Sequence, residues 1–134
     1  MLAILAISPS SIDDQQQRLF ERRARYHTGR WGEFIATIVL SLKGYRILAR
    51  RYKTPCGEID LIAVRGDTVS FVEVKARATL EAAEASITRH QSERIRRAAG
   101  LWIARSPRYQ HFEQRFDALY VLPRRWPVHL PGGA

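Results

Sequence analysis

The stretch Gly57-Glu58-Ile59-Asp60-Leu61-Ile62-Ala63-Val64-Arg65-Gly66-Asp67-Thr68-Val69-Ser70-Phe71-Val72-Glu73-Val74-Lys75 decides the fold. It reads as two β-branched and aromatic runs, Glu58–Val64 and Val69–Lys75, joined by the hairpin loop Arg65-Gly66-Asp67-Thr68. Period-two alternation puts Glu58, Asp60, Ile62 and Val64 on one face of the first strand and Ile59, Leu61 and Ala63 on the other. In the second, Val69, Phe71, Glu73 and Lys75 share a face, opposite Ser70, Val72 and Val74. Two carboxylates, Asp60 and Glu73, therefore interrupt strongly apolar strands. A buried or half-buried charge of this kind costs several kcal/mol unless it is paired.

A carboxylate pair on neighbouring strands suits a hard, oxygen-preferring cation such as Mg²⁺ (or Mn²⁺), which keeps several waters and takes one or two carboxylates plus substrate phosphate oxygens. Lys75, two residues after Glu73, would stand beside such an ion to hold a water or balance charge on a phosphoryl group. The plainer reading is a solvated Glu73–Lys75 pair, or Asp60 paired with Lys75 for charge balance alone. The residues by themselves leave both open.

Outward from the hairpin, Tyr45–Tyr52 reads as a preceding strand, closed by the turn Thr54-Pro55-Cys56-Gly57. Before it, Phe34, Ile35, Ile38, Val39 and Leu42 fall at helical spacing over Gly32–Lys43, with Gly44 as the terminating glycine. After it, a helix is expected over Arg89–Arg105. Thr88 is its N-cap, Gln91 completes a capping box, Ile95, Ala98, Ala99, Trp102 and Ile103 form its apolar stripe, and Ser106-Pro107 stops it. Phe116–Leu122 reads as a last strand, with an Arg115–Asp117 salt bridge buried beside it. The order helix, three strands, helix, strand predicts one α/β (α+β) domain over 13–122 with a small mixed central sheet. Residues 1–12 are expected to be an apolar tail, Gln15–His27 an exposed polar helix, and 123–134, with three prolines and two glycines, a C-terminal tail. His27, His111 and His129 are read as surface residues, and Trp31, Trp102 and Trp126 as packing residues.

Length and composition agree: 134 residues, 46% hydrophobic, suit a single globular domain. The lone Cys56 excludes an internal disulfide framework and a Cys-based zinc cluster. The longest uncharged run after residue 15, Phe34–Leu42, is about half the length of a bilayer span. With no Lys or Arg ahead of the apolar Met1–Ile12, a cytoplasmic location is expected. The net charge of +9 is unevenly placed. Arg18–Lys53 carries ten Lys/Arg and two acids, Gly57–Lys75 four acids and two bases, and Ala76–Asp117 eight Arg and five acids. An acidic island between basic segments suits a metal held near a polyanion, though a merely solvated basic surface gives the same count. The densest basic cluster is Arg22, Arg23, Arg25, Arg30, Arg46, Arg50, Arg51 and Lys53, joined by Arg89, Arg94, Arg96 and Arg97 on the second helix. Such contacts grip phosphate without reading sequence.

The runs Gly29-x-x-Gly32-Glu33-x-x-Ala36, Gly44-Tyr45-x-Ile47-Leu48, Gly57-Glu58-Ile59-Asp60-Leu61-Ile62 and Phe71-Val72-Glu73-Val74-Lys75-x-Arg77 together resemble the YraN family of small bacterial endonuclease-like proteins. That family is placed in the PD-(D/E)XK superfamily. The resemblance implies a restriction-endonuclease-like three-layer domain with the sheet flanked by helices. It implies Asp60 and Glu73 as metal carboxylates, Lys75 as the catalytic lysine, and Glu33 as a further acid facing the metal directly or through water. Gln91 is a candidate to point into the same site, its capping-box role explaining it equally well. Ile59 stands where the superfamily has a proline, and His90 where relatives often have lysine. The implied function is Mg²⁺-dependent hydrolysis of nucleic-acid phosphodiesters, DNA favoured, in branched or damaged substrates of repair or recombination. Arg30, Arg46, Arg50, Arg51, Lys53, Arg77 and Arg89 would hold the nucleic acid. The alternative is a non-catalytic nucleic-acid-binding or adaptor protein on the same fold. A homodimer is left open.

Overall fold

Alternating apolar residues build a strand hairpin, and the rest of the chain assembles on it. The structure, a computed structural model, describes Gln15 and residues 30–134. The expected tail 1–12, the helix Gln15–His27 and the arginines 22, 23 and 25 lie outside the described residues apart from Gln15. Helix α1 occupies 30–42, followed by β1 (Arg46–Thr54), β2 (Gly57–Arg65) and β3 (Thr68–Ala76). A short helix α2 (Leu80–Ser86), the long α3 (Arg89–Ala104), a 3-10 turn (Pro107–Tyr109), β4 (Glu113–Val121) and β5 (Val128–Leu130) complete the order.

The five strands form one mixed sheet in the order β1-β2-β3-β4-β5, antiparallel throughout except that β3 and β4 run parallel. A parallel pair needs a crossover, and α2 and α3 supply it. Helices cover both faces, giving the three-layer α/β architecture. On one face α3 lays Ile95, Ala98, Ala99 and Trp102 on Ile62, Val64, Val69 and Phe71. On the other, Ala36, Val39 and Leu40 of α1 pack with Leu61, Ala63, Val72 and Leu119. The small helix α2 adds Ala83 against Ala118, Tyr120 and Leu122. Gly44 takes the left-handed conformation expected of a terminating glycine, at φ +90°. No helix among the described residues is long and apolar enough to cross a membrane.

Four expectations need correction. Ile59 joins Ile62 and Ile95 in the α3-side cluster instead of Leu61 and Ala63, so strict alternation breaks at Asp60. The apolar face of α1 is rotated: Phe34, Ile38 and Leu42 are exposed together with Trp31, because apolar residues surround most of this helix and periodicity alone does not select the buried stripe. Trp102 packs in the core, whereas Trp126 is also exposed. The Pro/Gly-rich stretch 123–134 is not simply a tail, since Val128–Leu130 pairs with β4.

That last strand carries a polar device. His129, expected on the surface, has a buried side chain whose Nε2 lies 2.9 Å from Asp117 Oδ2. Asp117, fully buried, also receives both Nε and Nη2 of Arg115 and the Gly132 amide. Arg115 goes on to Tyr45 Oη at 2.6 Å and Ser70 Oγ at 3.1 Å, so the expected salt bridge is the centre of a network. Burial alone would push the Asp117 carboxyl up, but hydrogen bonds from His129, Arg115 and Gly132 hold it far below the usual carboxylate range. A depressed carboxylate stabilises the fold fully above the unfolded value, near pH 4, and loses that contribution as pH falls through the folded value. Urea melts should therefore show wild-type stability declining below about pH 4. Asp117→Ala should cost about 3–5 kcal/mol at pH 7, since it leaves Arg115 uncompensated, and should flatten the acid decline.

Candidate active site

At the Gly57 end of the hairpin the sheet opens. Pairing of β2 with β3 runs from Arg65/Thr68 to Leu61/Val72 and stops there. Two residues beyond, the Val74 amide donates to the side chain of Asp60, at 2.8 Å to Oδ2. A carboxylate thus takes the place of a strand carbonyl, and the backbone donor is satisfied without closing the ladder. The turn that aims this end is held by Thr54, whose Oγ1 accepts from the Cys56 and Gly57 amides at 3.1 Å each. Gly57 sits at φ +148°, and a Cβ there would meet the Arg94 side chain at 3.3 Å.

Glu73 precedes Val74 on β3, and its carboxyl is close enough to that of Asp60 for the two to influence each other's charge. Lys75 Nζ lies 3.3 Å from Glu73 Oε1, and both side chains are nearly buried, at 13% and 12% exposure. Gln91 reaches the same lysine from the start of α3. With its amide oriented to satisfy both neighbours, Oε1 accepts from Lys75 Nζ at 3.3 Å and Nε2 donates to the Ser86 carbonyl at 2.8 Å. The expected capping box is therefore half made: Thr88 Oγ1 accepts from the Gln91 amide at 3.2 Å, while the Gln91 side chain turns to the lysine. Asp60, Glu73, Lys75 and Gln91 form one connected cluster across β2, β3 and α3.

Its electrostatics are those of a site short of positive charge. Burial pushes the Asp60 carboxyl well above its ordinary value, and the neighbouring Glu73 charge pushes it further. Burial also raises Glu73, with Lys75 holding it partly down. Two desolvated acids share one ammonium, a deficit that a small divalent cation would relieve. Among the described residues no three His, Cys, Asp or Glu side chains gather into a metal cluster. The donor set that fits a hard cation is the Asp60–Glu73 pair, the remaining positions falling to water and substrate oxygens.

Glu33, on α1, approaches from the side and feels Asp60 electrostatically, but its Oε2 accepts from Arg51 Nε at 2.6 Å. Arg51 stands between the register pairs Arg50↔Leu61 and Tyr52↔Ile59, opposite Asp60. Its backbone is left-handed, with φ +48°. For a non-glycine residue that conformation costs about 1–2 kcal/mol. A half-exposed ion pair gives back typically 0.2–1 kcal/mol. Stability alone does not account for this geometry. Periodicity carries no signal for it, which is why the sequence shows Arg51 only as one cation among many.

The other basic candidates are scattered. Arg50 and Lys53 are exposed on β1 toward the open end. Arg46 belongs to the far end of β1 and donates to Tyr109 Oη at 3.1 Å. Arg77, just past β3, donates to the Ala76 carbonyl at 2.7 Å. Arg89 is exposed in an i,i+4 pair with Glu93 at 3.4 Å, and Arg30 is exposed at the first described residue of α1. His90 is exposed beside Gln91.

The arrangement is that of a mixed α/β protein with two half-buried carboxylates and a lysine at the open end of its central hairpin. The model of the uncharacterised protein family UPF0102 matches residues 32–121, and the chain belongs to this family, the one the YraN resemblance indicated. A UPF0102 protein of Chelativorans sp. is 54% identical over 115 residues, covering 86% of this chain and 92% of that one. One from Rhodopseudomonas palustris is 51% identical over 111 residues, 83% and 87% of the two chains. One from Methylorubrum extorquens is 54% identical over 110 residues, 82% and 86%.

A carboxylate whose pKa is raised on folding favours the protonated form, so its ionisation costs stability that is lost as pH rises through the folded value. Asp60→Asn removes that charge and keeps an oxygen for the Val74 amide. In metal-free buffer at pH 7 it should raise the melting temperature by a few degrees, about 2–8 °C for a domain of this size, and the gain should shrink as pH falls through the raised folded value and be gone by about pH 4.

Proposed function

We propose that this protein is a metal-dependent endonuclease-like hydrolase of nucleic-acid phosphodiester bonds, with DNA as the favoured substrate. The observation that carries the reading is the half-buried, mutually destabilised Asp60–Glu73 pair with Lys75 Nζ 3.3 Å from Glu73. Asp60 and Glu73 would hold a divalent cation. Mg²⁺ or Mn²⁺ bound there supplies Lewis-acid polarisation of a phosphoryl oxygen and acidifies a bound water.

The chain's own residues do the rest. Lys75, steered between Glu73 and Gln91, presents its ammonium where a water would be oriented or charge on the phosphoryl group balanced. Gln91 keeps that ammonium from collapsing onto either carboxylate alone. Asp60 stays tied to the Val74 amide through Oδ2, which leaves its other oxygen for a cation. Exposed Arg50 and Lys53 on β1 add phosphate contacts that carry no base information. The reading thus suits a substrate chosen by structure more than by sequence, and a branched or damaged DNA fits that description.

Purified protein should nick DNA in Mg²⁺ or Mn²⁺ and not in EDTA. Glu73→Gln and Lys75→Met should each lower the nicking rate at least 100-fold, as expected when a group that stabilises transition-state charge is removed. Binding measured in EDTA should survive those changes and weaken steeply with salt. Binding without cleavage of duplex, branched or single-stranded substrates would favour the non-catalytic adaptor instead.

A further inference from the structure

We propose that Glu33 and Arg51 form a phosphate seat beside the carboxylate pair, in which Glu33 is the positioning residue for Arg51 and not a direct metal donor. This inference rests on the phosphodiester reading above and assigns the group that would place the substrate phosphate.

Arg51 faces Asp60 across β1 and β2, and only its Nε is engaged, by Glu33 at 2.6 Å. Among the described residues its terminal nitrogens make no further hydrogen bond, and its side chain is 42% exposed. A guanidinium fixed through Nε leaves two parallel N–H donors free, the fork that matches two oxygens of one phosphate. Glu33 is suited to hold it, being 16% exposed and anchored on α1, whose inner face is packed on the sheet. The left-handed backbone at Arg51 departs from regular strand geometry, at a cost of about 1–2 kcal/mol that a half-exposed ion pair does not fully offset. Strain retained next to buried, charge-deficient acids indicates a role in presenting the guanidinium. The local charge agrees. The acids Asp60, Glu73, Glu33 and Glu58 outnumber the cations Lys75 and Arg51, so an anionic phosphate enters only where a cation is already aimed at it. Arg50 and Lys53, by contrast, are exposed cations with no such constraint.

The test uses the full chain in EDTA, so that no cleavage intervenes. The probe is inorganic phosphate, followed by NMR at the arginine Nε–Hε resonances, with Arg51 assigned from the variants. Wild type should show a saturable shift at Arg51. The Arg51 resonance is absent in Arg51→Lys and Arg51→Gly, which assigns it; phosphate-induced shifts at the neighbouring backbone amides should be lost in both variants, and Glu33→Gln should weaken the response at Arg51 about tenfold. Because glycine relieves the positive φ, Arg51→Gly should melt at or above the wild-type temperature, which a merely structural arginine would not allow. A parallel titration with a short DNA duplex should show the salt slope of binding reduced by about one in Arg51→Gly. No phosphate shift at Arg51 in the wild type, or, in a separate assay with Mg²⁺, duplex nicked equally by wild type and Arg51→Gly, would overturn the seat and leave the nuclease reading standing. A saturable phosphate shift in a protein that neither binds nor nicks DNA would keep a free-phosphate seat and remove the nuclease reading, overturning its assignment to nucleic acid.

Discussion

The open end of the sheet depends on one exchange of hydrogen-bond partner: the Val74 amide is received by the carboxylate of Asp60 and not by a carbonyl of β2. A regular ladder would continue past Leu61 and Val72 and leave no room between the strands. By accepting that amide, Asp60 lets β2 and β3 part without orphaning a backbone donor. It also fixes a charged group at the point where they part. Glu73 follows because it is the residue before Val74, and Lys75 because it is the residue after. Gln91 follows from the position of α3, whose Thr88 cap places its first turn over Lys75.

The molecule contains two buried-acid systems, and the contrast between them is informative. Asp117 collects an arginine fork, a histidine and a backbone amide, and its charge is stabilised. Asp60 and Glu73 share a single lysine and are driven toward protonation by burial. The same chain satisfies one acid completely and leaves another pair under-compensated. Incomplete compensation in a core costs stability, and proteins keep it where charge must be available to a ligand. The two systems sit at different heights on β3 and β4. Ser70 and Arg115 pair near the start of those strands, while Glu73 and Ala118 pair further along.

Much of this was legible in the sequence, because the apolar runs of β2 and β3 are strong and the residues that interrupt them are few. The hairpin, the strand after the long helix, that helix with its Thr88 cap and the Arg115–Asp117 bridge all follow from period, turn chemistry and charge pairing. What was not legible depended on tertiary partners. A strand as short as Val128–Leu130 has too few residues to show a period, and the prolines and glycines around it read as tail. The burial of His129 depends on Asp117, which is distant in sequence. On α1, residues on nearly every side are apolar, so the choice of Ala36, Val39 and Leu40 over Phe34, Ile38 and Leu42 is made by the sheet. At the site, Asp60, Glu73 and Lys75 stand out as charges in apolar strands. The partnership of Glu33 with Arg51 does not, because a left-handed residue within a strand leaves no pattern.

The placement of β5 also has a consequence for how the chain is made. Asp117 and Arg115 lie in β4, yet two of the groups that settle the buried aspartate, His129 and the Gly132 amide, are synthesised only afterwards, on β5 and the turn behind it. A nascent or truncated chain that stops after β4 has its sheet nearly assembled around an under-satisfied buried charge. Such a product opens more readily and is exposed to proteases, so the arrival of β5 and resistance to degradation are tied to the same few residues.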